Sequence, residues 1–216
     1  MSDASETGTA RRRRKEARPG EIVEAARDEF VEKGFSAARI DGIAARARVS
    51  KGLVYVYFPS KEALFEAVVR STVVPIFDRA AALIAADDRM PAPVQLRLML
   101  ETVYREMVET DRRRLLHMII AEGPRFPGMT RFYHQEVITK GRGLLRLLIA
   151  RGVARGEFAA SALGDWPEIV IAPALLAAIW KLLFDAHEPI DTDRYMAAHI
   201  EAMVKALGAD DGVSAG

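Results

Sequence analysis

Ser50, Lys51 and Gly52 stand in a row whose chemistry suits a polyanion met at close range. The serine can cap a helix N-terminus, which leaves the lysine and the glycine on that helix's exposed first turn. A glycine inside a helix costs ~1 kcal/mol against alanine. Close approach of a nucleic-acid backbone would justify that cost. Five basic residues also run unbroken from Arg11 to Lys15. Residues 1–60 hold 12 Lys and Arg against 9 Asp and Glu, and the remainder 19 against 21, within a whole-chain charge of +1. That asymmetry fits a basic, DNA-facing end and a neutral remainder.

The elements that must position these residues are two short helices. Ile40, Ile43, Ala44 and Ala47 fall on the inner face of the first. A tight turn plugged by Val49 leads to the second, from Ser50 to about Tyr57, with Leu53 and Tyr57 inward. Pro59 ends it by steering Phe58 out of helical geometry. Two short helices at a steep angle around a small shared core form a helix-turn-helix, whose second helix can lie in a major groove. This one spans about Ala38 to Phe58.

Around it the pattern is helical throughout. Ile22, Ala26 and Phe30 make one face of a helix with Pro19 near its start and Gly34 as its stop. Ser60 caps a long fourth helix that carries Leu64, Val68, Thr72 and Ile76 and fades near Asp87. Further helices are expected over about 93–109, 111–122, 129–155, 166–187 and 192–207, separated by proline and glycine. No stretch alternates with period two for long enough to make a strand. The expected fold is all-α, with about nine helices. Residues 1–17 read as a disordered basic arm, 18–64 as the helix-turn-helix domain, 65–208 as a larger helical domain and 209–216 as a disordered tail.

Several chemistries are excluded. The chain has no cysteine, so disulfides, thiolate metal sites and cysteine nucleophiles are absent. His117, His134, His187 and His199 make no H-E-x-x-H pair. No G-x-S-x-G or phosphate loop occurs, and Asp165, Glu168 and His187 are a set that ordinary helix surfaces supply by chance. No catalytic residue, metal or cofactor is expected. The N-terminus lacks the apolar segment of a signal peptide. No uncharged apolar run reaches ~18 residues, and residues 169–180 contain Pro173. A cytoplasmic protein without a membrane partner is expected.

The stretch RIDGIAARARVSKGLVYVYFPSKEALFEAVV contains an I-A pair, a V-S-K-G turn, a Y-x-Y-F segment and an S-K-E-x-L helix opening. It closely resembles the N-terminal domain of the TetR family of bacterial repressors, over about residues 19–70. The resemblance implies DNA contacts from Lys51, Gly52, Tyr55, Val56 and Tyr57 on a recognition helix capped by Ser50, with the tyrosines on phosphates. It places Lys61 on a phosphate, and Arg39 where the family often has Thr or Ser near one. A guanidinium there makes a longer-reaching, charge-assisted contact. The Arg11–Lys15 run either reaches a minor groove or only solubilises the chain. Tyr57 and, more so, Phe58 also fit core positions.

Two positions depart from the family pattern. Ala38 replaces the usual threonine, and Arg48 the usual glycine. A left-handed backbone at Arg48 would carry strain, and this side chain either contacts DNA or stays solvated. Guanidinium groups at Arg39 and Arg48 predict a steeper salt dependence than a Thr/Gly pair would give.

The resemblance further implies that the C-terminal helices form a dimer and a ligand pocket. The segment AEGPRFPGMTRFYHQEV, followed by LLRLLIARGVARGEF, is similar to the C-terminal domain of a proteobacterial subgroup of these regulators, and it identifies no effector. Met99, Val103, Met107, Met118, Phe126, Phe132 and Tyr133 are the pocket candidates, with His117 and His134 as polar contacts. Trp166, Ile169, Leu176, Trp180, Leu183 and Phe184 on one helix, and Tyr195, Ile200 and Val204 on the next, are the dimer candidates. All of these also fit the chain's own core. The lack of a cluster of like charges points to an apolar or amphipathic effector. The expectation is a homodimeric repressor that binds a palindromic double-stranded operator and is released by a small molecule. A sequence-tolerant architectural DNA binder is the alternative.

Overall fold

The computed structural model describes the backbone of residues 3–86 and 89–208, with side chains from Arg18 onward except at positions 83 and 86. In chain order the helices are α1 (Asp3–Ala37), α2 (Ile40–Arg46), α3 (Lys51–Tyr57), α4 (Lys61–Thr72), α5 (Val74–Ala86) and α6 (Ala92–Val103). They continue with α7 (Arg113–Glu122), α8 (Pro127–Tyr133), α9 (Thr139–Ala154), α10 (Ala162–Asp165), α11 (Glu168–Leu183) and α12 (Thr192–Leu207). A π-helical segment, Tyr104–Val108, extends α6, and another, His134–Ile138, joins α8 to α9. Among the described residues there is no strand, only an isolated bridge between Phe158 and Gly208. The fold is all-α, as expected.

Contacts divide the chain into two compact units, Met1–Ser71 with Met118–Phe132, and Thr72–His117 with Tyr133–Gly216. The first unit therefore extends past the expected boundary at residue 64 and takes in a later segment as well.

In the first unit, Phe35 is the hub of an aromatic core. Its ring lies 5.6 Å from Phe30, 5.8 Å from Phe65 and 4.8 Å from Phe126, while Phe65 meets Phe132 at 6.5 Å. Most of these pairs are edge-on, the arrangement that ring quadrupoles favour. Gly34 breaks α1 with φ 76°. The next two amides, Phe35 N–H and Ser36 N–H, donate to Glu122 Oε1 and Oε2 at 2.8 and 2.6 Å. The glutamate thus satisfies two donors that the bend releases. Residues 3–17, expected as a disordered arm, are helical in backbone, and Pro19 lies inside α1 rather than opening it. Arg, Ala, Glu and Lys are strong helix formers, and their run carries the helix back. The tail after Gly208 lies outside the described residues.

In the second unit, Leu96, Leu100, Leu145, Leu148, Phe158 and Ile200 centre one core, and Tyr104, Val108, Ala174, Ala177 and Ala178 a second. The expected single helix from Ser60 to Asp87 is broken at Val73. Pro75 has no N–H to continue the ladder, so a new helix starts around it. A buried chain of hydrogen bonds ties three elements. Tyr104 Oη lies 3.0 Å from His199 Nδ1, and His199 Nε2 lies 2.9 Å from the Val170 carbonyl. Since that carbonyl can only accept, Nε2 carries the proton and the tyrosine donates to Nδ1. Burial holds the His199 pKa below its ordinary value, although the Val170 carbonyl opposes the shift.

Candidate nucleic-acid interface and ligand cavity

The turn between α2 and α3 is built as a Schellman motif. Arg48 N–H bonds the Ala45 carbonyl at 3.2 Å, and Val49 N–H bonds the Ala44 carbonyl at 3.0 Å. The motif requires a left-handed residue, and Arg48 supplies it with φ 53°. The end of α9 has the same pair of bonds, Gly156 to Val153 and Glu157 to Gly152, but with a glycine of φ 71° at the bend. The arginine therefore bears a cost that the second site avoids. Its side chain lies in a cleft shared with Glu21, Glu24 and Asp28, whose carboxylates oppose a phosphate there.

Ser50 caps α3, its hydroxyl accepting from Leu53 N–H at 3.2 Å. Val54 is the fully buried residue of α3, while Leu53 and Tyr57, expected inward, are half-buried. Four apolar side chains crowd a helix of two turns, and periodicity over so short a span does not resolve which one points in. Tyr55 is 46% exposed and Val56 75%. A Cβ added at Gly52 would meet nothing within 4 Å, so the fold itself gives no reason for the glycine.

Three cations gather at the start of α2. Lys51 Nζ pairs with Asp41 at 3.0 Å. Lys61 Nζ donates to the Ser36 and Ala38 carbonyls at 3.1 and 3.2 Å and stands 4.7 Å over the Phe35 ring. Arg39 is exposed beside Ala38, and no side chain caps α2, in keeping with the alanine at position 38. Lys61, expected on a phosphate, thus spends two of its three donors inside the fold. Beneath them Glu29 is buried. Burial pushes its carboxyl up, but hydrogen bonds from Lys33 at 2.8 Å and Arg46 at 2.9 Å outweigh this and hold it below the usual range. Arg46 also pairs with Glu32. This network, which fixes α1 to α2, is one that sequence reasoning missed. Glu29 and Lys33 are one helical turn apart, but Arg46 is not local to them.

In the second unit a cavity of about 200 Å³ has an almost wholly apolar wall. Of the expected residues, Met99, Val103, Met107 and Tyr133 line it, joined by Phe77, Leu145 and Ile171. Met118, Phe126 and Phe132 do not, since they belong to the first unit, where the two phenylalanines stack on other rings. His117 and His134 are exposed. Met107, Val137 and Ile138 reach the wall from the two π-helical segments. The polar members are Thr102, Tyr133, Arg142 and Glu168. Burial pushes the Tyr133 phenol up to about 12.

The α11 face carries Ile169, Leu175, Leu176 and Leu183 exposed, with Trp166 at 61% just before the helix and Phe184 exposed just after it. Trp180 is half-buried, its indole donating to the Glu188 carbonyl at 2.7 Å. Three dimer candidates turn inward. Ile200 is buried in the first core of this unit, and Val204 and Tyr195 pack on the two cores. The inner face of α12 is occupied by its own chain. Among the described residues no helix is long and apolar enough to cross a membrane.

Residues 22–68 match the family model "Bacterial regulatory proteins, tetR family", and residues 94–204 match "Tetracyclin repressor-like, C-terminal domain". An HTH-type transcriptional repressor of Streptomyces coelicolor is 43% identical over 61 residues, 28% of this chain and 32% of that protein. The regulator RutR of Escherichia coli is 45% identical over 67 residues, 31% of this chain and 32% of RutR. The chain thus matches about a third of the length of these curated relatives. Among solved structures, the regulator FadR of Bacillus subtilis with stearoyl-CoA superposes with a TM-score of 0.72 at 15% identity, over 87% of this chain and 98% of FadR. A SmeT–triclosan complex gives 0.74 at 20% identity, over 92% and 95% of the two chains.

Proposed function

Because this chain belongs to the tetR family of bacterial regulatory proteins, whose members are transcriptional regulators and not enzymes, we propose that it is a cytoplasmic repressor. It binds a palindromic operator as a homodimer and is released by an apolar or amphipathic effector. The observation that carries this reading is the gathering of Arg39, Lys51 and Lys61 at the start of α2, with the open turn of Gly52 on α3. Cations fixed by the fold position a phosphate backbone, and an unobstructed recognition helix can then approach base edges. Tyr55 and Val56 are its outward side chains. Arg48 and Ser50 serve the turn and the cap.

One helix-turn-helix reads few base pairs, so two copies are needed, with half-sites ~34 Å apart or a multiple of it. Trp166, Ile169, Leu176, Leu183 and Phe184 make an apolar patch that a second copy would cover. The cavity in the second unit is the effector site. Its apolar wall favours an apolar body, in line with the stearoyl-CoA and triclosan named for FadR and SmeT, although about 200 Å³ is too small for a long acyl chain.

Selection of genomic DNA fragments by the purified protein tests the reading. An enriched inverted repeat is expected, while recovery without sequence preference would favour the architectural alternative. Leu176→Glu should sediment as a monomer and lose the repeat. A dimer that persists in this variant would move the interface elsewhere.

A further inference from the structure

The cavity holds polar groups that the fold leaves unused. Tyr133 lines it at 6% exposure, and among the described residues its hydroxyl has no hydrogen-bond partner. Glu168 Oε2 is also buried without a partner, while Oε1 of the same carboxylate lies 2.5 Å from Arg142 Nε. Buried polar groups without partners are uncommon in native proteins and are places where a ligand is expected. The Arg142–Glu168 pair is neutral as a unit, and the other lining residues bring no charge. At the packing density of protein interiors, a space of about 200 Å³ accommodates roughly 150 Å³ of molecular volume, a single ring with a short chain.

We propose that the cavity takes an uncharged one-ring molecule bearing one hydroxyl, which accepts from Tyr133 and donates to Glu168 Oε2. This rests on the reading of the cavity as the effector site, and it names the class of effector. A carboxylate would meet the Glu168 charge and has no proton to donate. An ammonium would meet Arg142 and offers Tyr133 no acceptor.

Isothermal titration of the full chain near neutral pH with 4-propylphenol, propylbenzene, 4-propylbenzoate and 4-propylbenzylammonium tests it. The phenol should bind about tenfold tighter than propylbenzene, the effect of one or two net hydrogen bonds, and tighter than either ion. Tyr133→Phe should lower phenol affinity and leave propylbenzene unchanged, a result that loss of packing alone would not give. Glu168→Gln leaves Arg142 without its counter-charge and should raise the affinity for 4-propylbenzoate. Equal binding of the phenol and propylbenzene, or tighter binding of an ion to the unaltered chain, would overturn the hydroxyl class and leave the effector site in place. If none of the four binds, the effector reading falls with it.

Discussion

Gly52 is helical and open, so Gly52→Ala should stabilise the first unit by about 0.5–1 kcal/mol through helix propensity alone. The same methyl group would stand where DNA approaches. Thermal denaturation should therefore rise while operator affinity falls, and a gain in both would remove the role assigned to this position. Arg48 presents the converse case. Arg48→Gly relieves a left-handed arginine, worth about 1 kcal/mol. Because Glu21, Glu24 and Asp28 share its cleft, that change should leave the salt slope of operator binding almost unaltered. Arg39→Thr should instead flatten the slope by about 0.9 for each phosphate that is no longer neutralised. The two single variants separate the guanidinium groups that the sequence pattern treats alike.

At the scale of elements, Glu122 is the residue with most to lose. It ends α7 and closes the bend of α1 with two short hydrogen bonds. Glu122→Gln keeps the shape but turns an N–H donor towards one of the two amides. A loss of about 1.5–3 kcal/mol is expected, because both bonds are charge-assisted. It should appear as a lower urea midpoint, and Glu122→Asp should not recover it, being one methylene too short. An unchanged midpoint in the glutamine variant would mean that the bend holds itself. The helices themselves were legible. Caps at Ser50 and Ser60, and breakers at Gly123-Pro124 and Pro189, set boundaries that the fold keeps to within a few residues. The kink at Val73 was also legible from Pro75, although the strong apolar face across it hid the break. The Glu122 clasp was not, since its partners lie 86 and 87 positions away. Nor were the π-helical segments, whose apolar spacing differs little from an α-helix.

For the whole molecule, acid is the expected weakness. The unfolded chain protonates His199 near its ordinary value of 6.5, whereas the folded chain resists until a lower pH. Protons therefore favour unfolding, and stability present above about 6.5 should decline as pH falls below it. Glu29 adds a second loss below its ordinary 4.5, because its folded carboxyl protonates later than its unfolded one. Denaturant midpoints measured against pH should fall in two stages. His199→Gln, less stable at neutral pH, should lose the first stage, and a flat profile between pH 7 and 5 in the unaltered chain would contradict the buried neutral imidazole. Which apolar residues face outward was only half legible. Leu176 and Ile200 are equally hydrophobic as letters in a sequence. Only packing distinguishes Leu176, 53% exposed, from Ile200, buried at 1%.

The two π-helical segments, Tyr104–Val108 and His134–Ile138, both border the cavity. A π turn holds one residue more than an α-helix following the same path. Each segment is therefore a tolerated insertion, and the extra length bulges the backbone where the wall would otherwise close. Such a site is tuned by length as well as by identity. Removing one residue from either segment would turn all that follows by about a third of a turn and present a new set of side chains to the ligand. Related chains could diverge in ligand choice by gaining or losing a single codon, with the core letters on both sides unchanged.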